Sequence, residues 1–97
     1  MKAALILSDF LFKAAKDPRI GISHIGLFAA VVVLWHRQGA KGPVIIFARQ
    51  MMAFCRISST ATYHKLMHQL SAYGYLKFEV SFKNNCGSRI DLPDVSA

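Results

Sequence analysis

At Gly74 the hydrophobic period of the chain changes, and that change restricts the fold more than any other feature. Before it, Tyr63, Leu66, Met67 and Leu70 recur at i, i+3, i+4 and i+7, which is one face of an α-helix. After it, Leu76, Phe78, Val80 and Phe82 alternate with Lys77, Glu79 and Ser81, the pattern of a half-buried strand. The first pattern predicts a helix from about Thr60 to Tyr73, capped by Ser58 or Ser59 and stopped by Gly74. Successive helical residues lie about 100° apart, so Ala61, His64, Lys65 and His68 fall opposite the apolar face, with Thr60, Thr62 and Gln69 flanking. That side carries no acid. Beyond the strand, "KNNCGS" at 83–88 reads as a turn, and Ile90 and Leu92 alternate with Arg89 and Asp91 on a return strand.

Upstream, Leu5, Ile6, Phe10, Leu11 and Phe12 among good helix formers predict a first helix from Leu5 to roughly Lys16. Asp17-Pro18 ends it, because the residue before proline is pushed out of the helical region. Ser23 is the expected N-cap of a second helix, apolar from Ile25 to Trp35, with Gly39 near its end. Its apolar run would cover about half of a bilayer core, so it reads as a buried helix and not as a membrane span. One core face does not need a helix that is apolar all round. The surplus predicts cover from the first helix, from a second copy of the chain, or from both. "QGAKGP" at 38–43 is a loop, and "VII" at 44–46 is a minimal strand that needs other strands to accept it. Ala48 to Phe54 reads as a short helix with Met51, Met52 and Phe54 turned inward, although Phe47 stands where a small polar cap is usual.

With 97 residues, 54% of them apolar and 18% charged, the chain suits a single hydrophobic core. The expected organisation is one domain: an N-terminal helical arm over 1–20, a core over 23–92 and a loose tail over 93–97. The formal charge of +7 is unevenly placed. Residues 36–90 hold Arg37, Lys41, Arg49, Arg56, Lys65, Lys77, Lys83 and Arg89 against Glu79 alone. A basic stretch this poor in acids favours a polyanion partner, because phosphate neutralisation dominates nucleic-acid affinity. Composition by itself also fits a basic protein kept soluble by its charge.

Cys55 and Cys86 lie 31 positions apart without C-x-x-C spacing, so neither a zinc site nor a disulfide framework is expected and a reducing, cytoplasmic setting is the default. The apolar run Ala3 to Leu7 is too short for a secretory signal. His64 and His68 have the i, i+4 spacing of a paired-histidine metal site, but no third ligand is spaced to complete it. Neither cysteine is accompanied by an oxyanion-hole motif or a glycine-rich elbow, and five acids leave little for a carboxylate-pair hydrolase. No enzyme activity, metal or cofactor is expected.

Helix, short strand, short helix, tight turn, longer helix and two-stranded hairpin is the order of a winged helix-turn-helix, and the sequence from Val44 to Leu92 looks like that superfamily. "SSTATYHKLMHQLSAYGYLKFE" resembles the recognition helix and first wing strand of MarR-like regulators and of phage replication-initiation domains. "SHIGLF", "ATYHKLMHQL" and "YGYLKFEVSF…GSRIDL" together resemble a recurrent family of small bacterial DNA-binding proteins, often associated with mobile elements. The resemblance implies an α+β fold, mainly α: a winged helix-turn-helix with an extra N-terminal helix and a C-terminal hairpin wing over 75–92. It implies sequence-specific binding of double-stranded DNA, as a transcriptional regulator.

The residues support the same reading independently. A helix anchored by one face fits the major groove and offers its other face to base edges. Ser59 and Thr60, at a helix N-terminus, suit a phosphate oxygen. Thr62, His64 and Lys65 are the candidates for base or deep-groove contact, with His68 on the same side. Lys83, Asn84, Asn85 and Arg89 would bring the wing to backbone or minor groove, and Arg49 and Arg56 would hold flanking phosphates. A homodimer through the N-terminal helices is expected, since it would cover the apolar surplus and present two recognition helices. Two alternatives remain open at this point: a protein-interaction scaffold on the same fold, and a replication or recombination accessory factor.

Overall fold

A computed structural model of the protein describes residues 2–80 and 87–93. Among these residues the order is α1 (Lys2–Ala14), α2 (Ile22–Arg37), β1 (Val44–Ile46), α3 (Ala48–Cys55), α4 (Thr60–Ala72), β2 (Lys77–Glu79) and β3 (Ser88–Asp91). The fold is mainly helical α+β, with one three-stranded antiparallel sheet.

α4 forms where the period predicts it. Ser59 Oγ accepts the Thr62 N–H at 3.3 Å, which caps the first turn. At the other end Gly74 turns left-handed (φ 85°), while the Tyr75 and Gly74 amides bond back to the Leu70 and Ser71 carbonyls at 3.0 and 3.1 Å. Tyr63, Leu66, Met67 and Leu70 are all buried, and α4 packs on α2, α3 and β2. The inward face is therefore the predicted one.

α2 begins at Ile22 with Gly21 as its N-cap, two residues ahead of the expected Ser23 cap. His24 makes that earlier start, because its Nδ1 accepts the Gly21 N–H at 3.0 Å in the position where glutamate usually closes a capping box. With Nδ1 accepting, the ring proton sits on Nε2 and is donated to Gln69 Oε1 at 2.7 Å, so one buried imidazole both caps α2 and ties it to α4. Gln69, expected to flank an open face, is instead a packing partner. α1 likewise begins and ends earlier than the predicted Leu5–Lys16. The Lys16 and Asp17 amides bond three residues back, to Lys13 and Ala14, and tighten the chain out of the helix before Pro18.

α3 solves the missing cap through Gln50, whose Oε1 accepts the Phe47 N–H at 3.2 Å. Met51 is buried and Met52 half-buried as predicted, but Phe54 points outward. Cys55, one turn after Met51, takes the inner position, and its thiol donates to Met51 Sδ at 3.7 Å.

The sheet order is β1-β3-β2, so "VII" is accepted as a strand by the return strand of the hairpin. Val44, Ile90 and Phe78 lie in one register row facing the core, and Ile45, Arg89 and Glu79 in the next row facing out. Gly87 is required by this pairing in a way no turn propensity reveals. A Cβ there would lie 2.7 Å from the Ile46 carbonyl carbon, inside the β1 backbone. Residues 81–86 and 94–97, which include the rest of the predicted strand, most of the predicted turn and most of the tail, lie outside the described residues.

α1 covers α2 in part. Phe10 stacks on Phe28 with centroids 3.8 Å apart and meets Tyr75 edge-on at 5.2 Å. Asp17 locks the same corner by accepting the Tyr75 hydroxyl at 2.7 Å and two Arg19 guanidinium bonds at 2.9 Å. The Arg19 bonds first, and then the Tyr75 bond, hold its carboxyl well below the usual carboxylate range. Among the described residues no helix is long and apolar enough to cross a membrane.

Two predictions test this packing. Leu70→Ala should cost about 2–5 kcal/mol by leaving a cavity under α4, seen as a lowered thermal midpoint. An unchanged midpoint would mean that α4 is rotated otherwise. The Tyr63 hydroxyl is buried with no hydrogen-bond partner among the described residues, and burial, with a smaller effect from Cys55, pushes its pKa from 10.0 up to about 12. Because the unfolded phenol ionises above 10.0 while the buried one resists until about 12, stability is independent of this ionisation below 10.0 and falls as pH rises through that window. Tyr63→Phe should leave neutral-pH stability equal or higher, and should flatten the fall in stability across that alkaline window in chemical denaturation. An undiminished alkaline fall in the variant would assign it to other groups.

Candidate nucleic-acid interface

The exposed side of α4 is built by what its buried side does. Because Tyr63, Leu66, Met67 and Leu70 anchor the helix, Thr60, Ala61, Thr62, Lys65 and His68 are presented to solvent. The Ser59 hydroxyl accepts from Thr62 and keeps its own O–H to donate. The Thr60 and Ala61 amides have no acceptor inside the helix by geometry, and they point out of its N-terminal end together with the positive pole of the helix dipole. Hydroxyls, amides and the Lys65 ammonium thus share one end and one side of α4.

The two imidazoles sit differently from the expectation. His64 is half-buried, edge-on to Tyr63 at 5.2 Å and 6.4 Å from the Phe78 ring. His68 is exposed but meets Phe78 edge-on at 5.2 Å. Both therefore lean along the seam between α4 and β2 and do not stand at the far side of the helix. Sequence spacing alone missed this, because it ignores the strand that packs beside the helix. The rings are held in place by Phe78, with their centroids 6.4 Å apart. Among the described residues no group of three His, Cys, Asp or Glu side chains comes together.

Arg56 lies in the turn between α3 and α4, exposed and in the left-handed conformation at φ 59°. Its conformation follows from the way α3 ends, with the Ile57 amide on the Met52 carbonyl at 2.9 Å and the Arg56 amide on Ala53 at 3.4 Å. Glycine is the usual residue in that place, since a side chain there meets the backbone. Arg56 thereby stands four residues before α4 and lines an open groove shared with α2. Arg49 is exposed on α3, close to the start of that helix.

Ion pairing separates these cations from four others, while Lys16, Arg37 and Lys41 likewise take part in no pair among the described residues. Among the described residues the pairs are Lys13–Asp9 at 3.0 Å, Arg19–Asp17 at 2.9 Å, Lys77–Glu79 at 3.7 Å and Arg89–Asp91 at 3.0 Å. Arg49, Arg56 and Lys65 belong to none of them. Arg89 is thus exposed on the outer face of the sheet but already bound to Asp91, whose hydrogen bond raises its pKa further. The strand alternation that turns Arg89 outward also sets Asp91 beside it, a pairing readable from i, i+2 spacing. The other wing candidates, Lys83, Asn84 and Asn85, lie outside the described residues.

Cys55 is half-buried, and burial pushes its thiol pKa up, away from the thiolate that nucleophilic chemistry uses. It packs as a small apolar side chain. Compared with known proteins, the chain matches no family model, no curated protein and no solved structure.

Arg56→Gly separates stability from binding. Relief of the left-handed backbone should raise stability by up to about 1 kcal/mol, while any polyanion affinity of this face falls. A variant that is no more stable and binds equally well would remove Arg56 from the interface.

Proposed function

We propose that the protein binds double-stranded DNA as a winged helix-turn-helix regulator, with α4 in the major groove and the hairpin over 75–92 as the wing. One observation carries the reading: α4 is held by a buried apolar face and exposes hydroxyls, free first-turn amides, Lys65 and, along its seam with β2, His68, with no carboxylate on the helix. Arg56 in the turn before it and Arg49 on α3 add positive charge that takes part in no ion pair among the described residues. The element order from α2 to β3 and the β1-β3-β2 pairing support the winged form, in which the first strand closes on the returning strand of the hairpin. The resemblance to MarR-like and phage initiation domains supports the same assignment. In this reading Ser59 and Thr60 meet phosphate, Thr62, His64 and Lys65 meet the groove, and two copies join through their N-terminal helices.

The interaction-scaffold reading draws on the exposed apolar side chains of α1 and α2, among them Leu5, Leu11, Phe12 and Ile22. It is compatible with DNA binding and does not use the polar face of α4.

Duplex binding measured by fluorescence anisotropy should weaken steeply as salt rises. Lys65→Ala should lower the slope of log affinity against log salt by about one. Arg89→Ala should lower it by less, because Asp91 already neutralises that side chain. Absence of duplex binding at low ionic strength, or affinity indifferent to salt, would overturn the proposal.

A further inference from the structure

Away from the polar face of α4, a cavity of about 280 Å³ lies between α1 and the turn that joins α4 to β2. Its apolar walls are largely aromatic: Phe10 comes from α1, Phe28 from α2, and Tyr73 and Tyr75 from either side of Gly74. The Phe10 and Tyr75 rings meet at 82°, so two of the walls stand nearly at right angles. Asp9 and Lys13, one turn apart on α1, line the same cavity.

We infer that this cavity binds a small organic cation of the alkylated or quaternary ammonium class. The inference goes beyond DNA binding and uses none of the residues assigned to phosphate or groove. Aromatic rings attract such cations over their faces, and several rings around one space form the cage that recognises quaternary ammonium groups.

The electrostatics of this corner run against the basic character of the chain. Two of its five acids are here, Asp9 in the lining and Asp17 bonded to the Tyr75 hydroxyl at 2.7 Å. Donating to a carboxylate polarises the phenol and makes its ring a better cation acceptor. α4 ends at Ala72, directly before Tyr73, and brings the negative pole of its dipole to the same wall. One ring of the wall already carries a cation, because Arg19, from outside the cavity, sets its guanidinium 4.0 Å from the centre of the Tyr73 ring.

Lys13 is the opposing charge. It pairs with Asp9 at 3.0 Å, but the two side chains are 64% and 45% exposed, so the pair is weak and opens at small cost. The long lysine can turn into water while the short aspartate stays in the lining. A cation then replaces Lys13 and meets the carboxylate and the rings together. An anion would have to displace Asp9 from Lys13 and lie beside that carboxylate and the negative faces of the rings. The volume falls just below the range of drug-sized pockets and suits a guest no larger than choline.

Choline tests the class, and its neutral carbon isostere, the dimethylbutanol with carbon in place of nitrogen, controls for shape. In a titration of the full chain at fixed ionic strength, choline should shift the aromatic NMR signals of Phe10, Phe28, Tyr73 and Tyr75 saturably, with a Kd of about 1–10 mM for so small a ligand. The isostere should bind about tenfold more weakly, since it keeps the shape and loses the charge. Asp9→Asn should weaken choline about threefold to fivefold and leave the isostere unchanged. Lys13→Met should tighten choline, because it removes the competing ammonium. Thermal melting of each variant beside the titration shows that it is folded. Equal affinity for the two ligands overturns the inference, as do shifts confined to other residues or a choline affinity untouched by both substitutions. No saturable shift up to about 50 mM choline overturns it as well. None of these outcomes depends on whether the protein binds a duplex.

Discussion

The packing of Tyr63, Leu66, Met67 and Leu70 into the angle between α2, α3 and β2 is the constraint on which the rest of the molecule depends. These side chains fix the rotation of α4 about its own axis. Rotation, in turn, decides which residues water sees: a helix turned by two positions would bury Lys65 and expose Leu66. The His24–Gln69 bond at 2.7 Å reinforces the same setting from the α2 side, because a buried imidazole that lost its acceptor would be left unsatisfied.

Charge is distributed in two modes. On the sheet, cations and carboxylates alternate along strands and across register, so Lys77, Glu79, Arg89 and Asp91 neutralise one another locally. Around α4, no acid accompanies Arg49, Arg56 and Lys65 in an ion pair among the described residues. Lys16, Arg37 and Lys41 also lie outside those pairs, so the unpaired positive charge of the described residues sits on the helices and the turns that follow them rather than on the locally neutralised sheet. A field of that shape acts on a polyanion before contact is made.

Much of this was legible in the amino-acid order, because period and punctuation act locally. The 3.6-residue stripe before Gly74 and the alternation after it placed α4 and β2, and Ser59 and Gly74 marked the ends of the helix. What stayed hidden depends on distant partners. His24 looks like a stray polar residue in an apolar run until Gly21 and Gln69 are brought to it. Phe54 follows Met51 and Met52 and looks inward-facing, yet Cys55 wins the inner position by lying one turn beyond Met51. His64 and His68 were assigned to an open face because helical spacing knows nothing of Phe78, which comes from a strand formed later in the chain. Gly87 reads as a turn residue and proves to be a clearance between two backbones.

The left-handed arginine at position 56 has an energetic corollary. Glycine there would carry no steric penalty, yet the fold meets the same penalty at Ala40, whose φ is 57°. Both corners follow the end of a helix, so backbone strain among the non-glycine residues is stored where one helix hands the chain over to the next element.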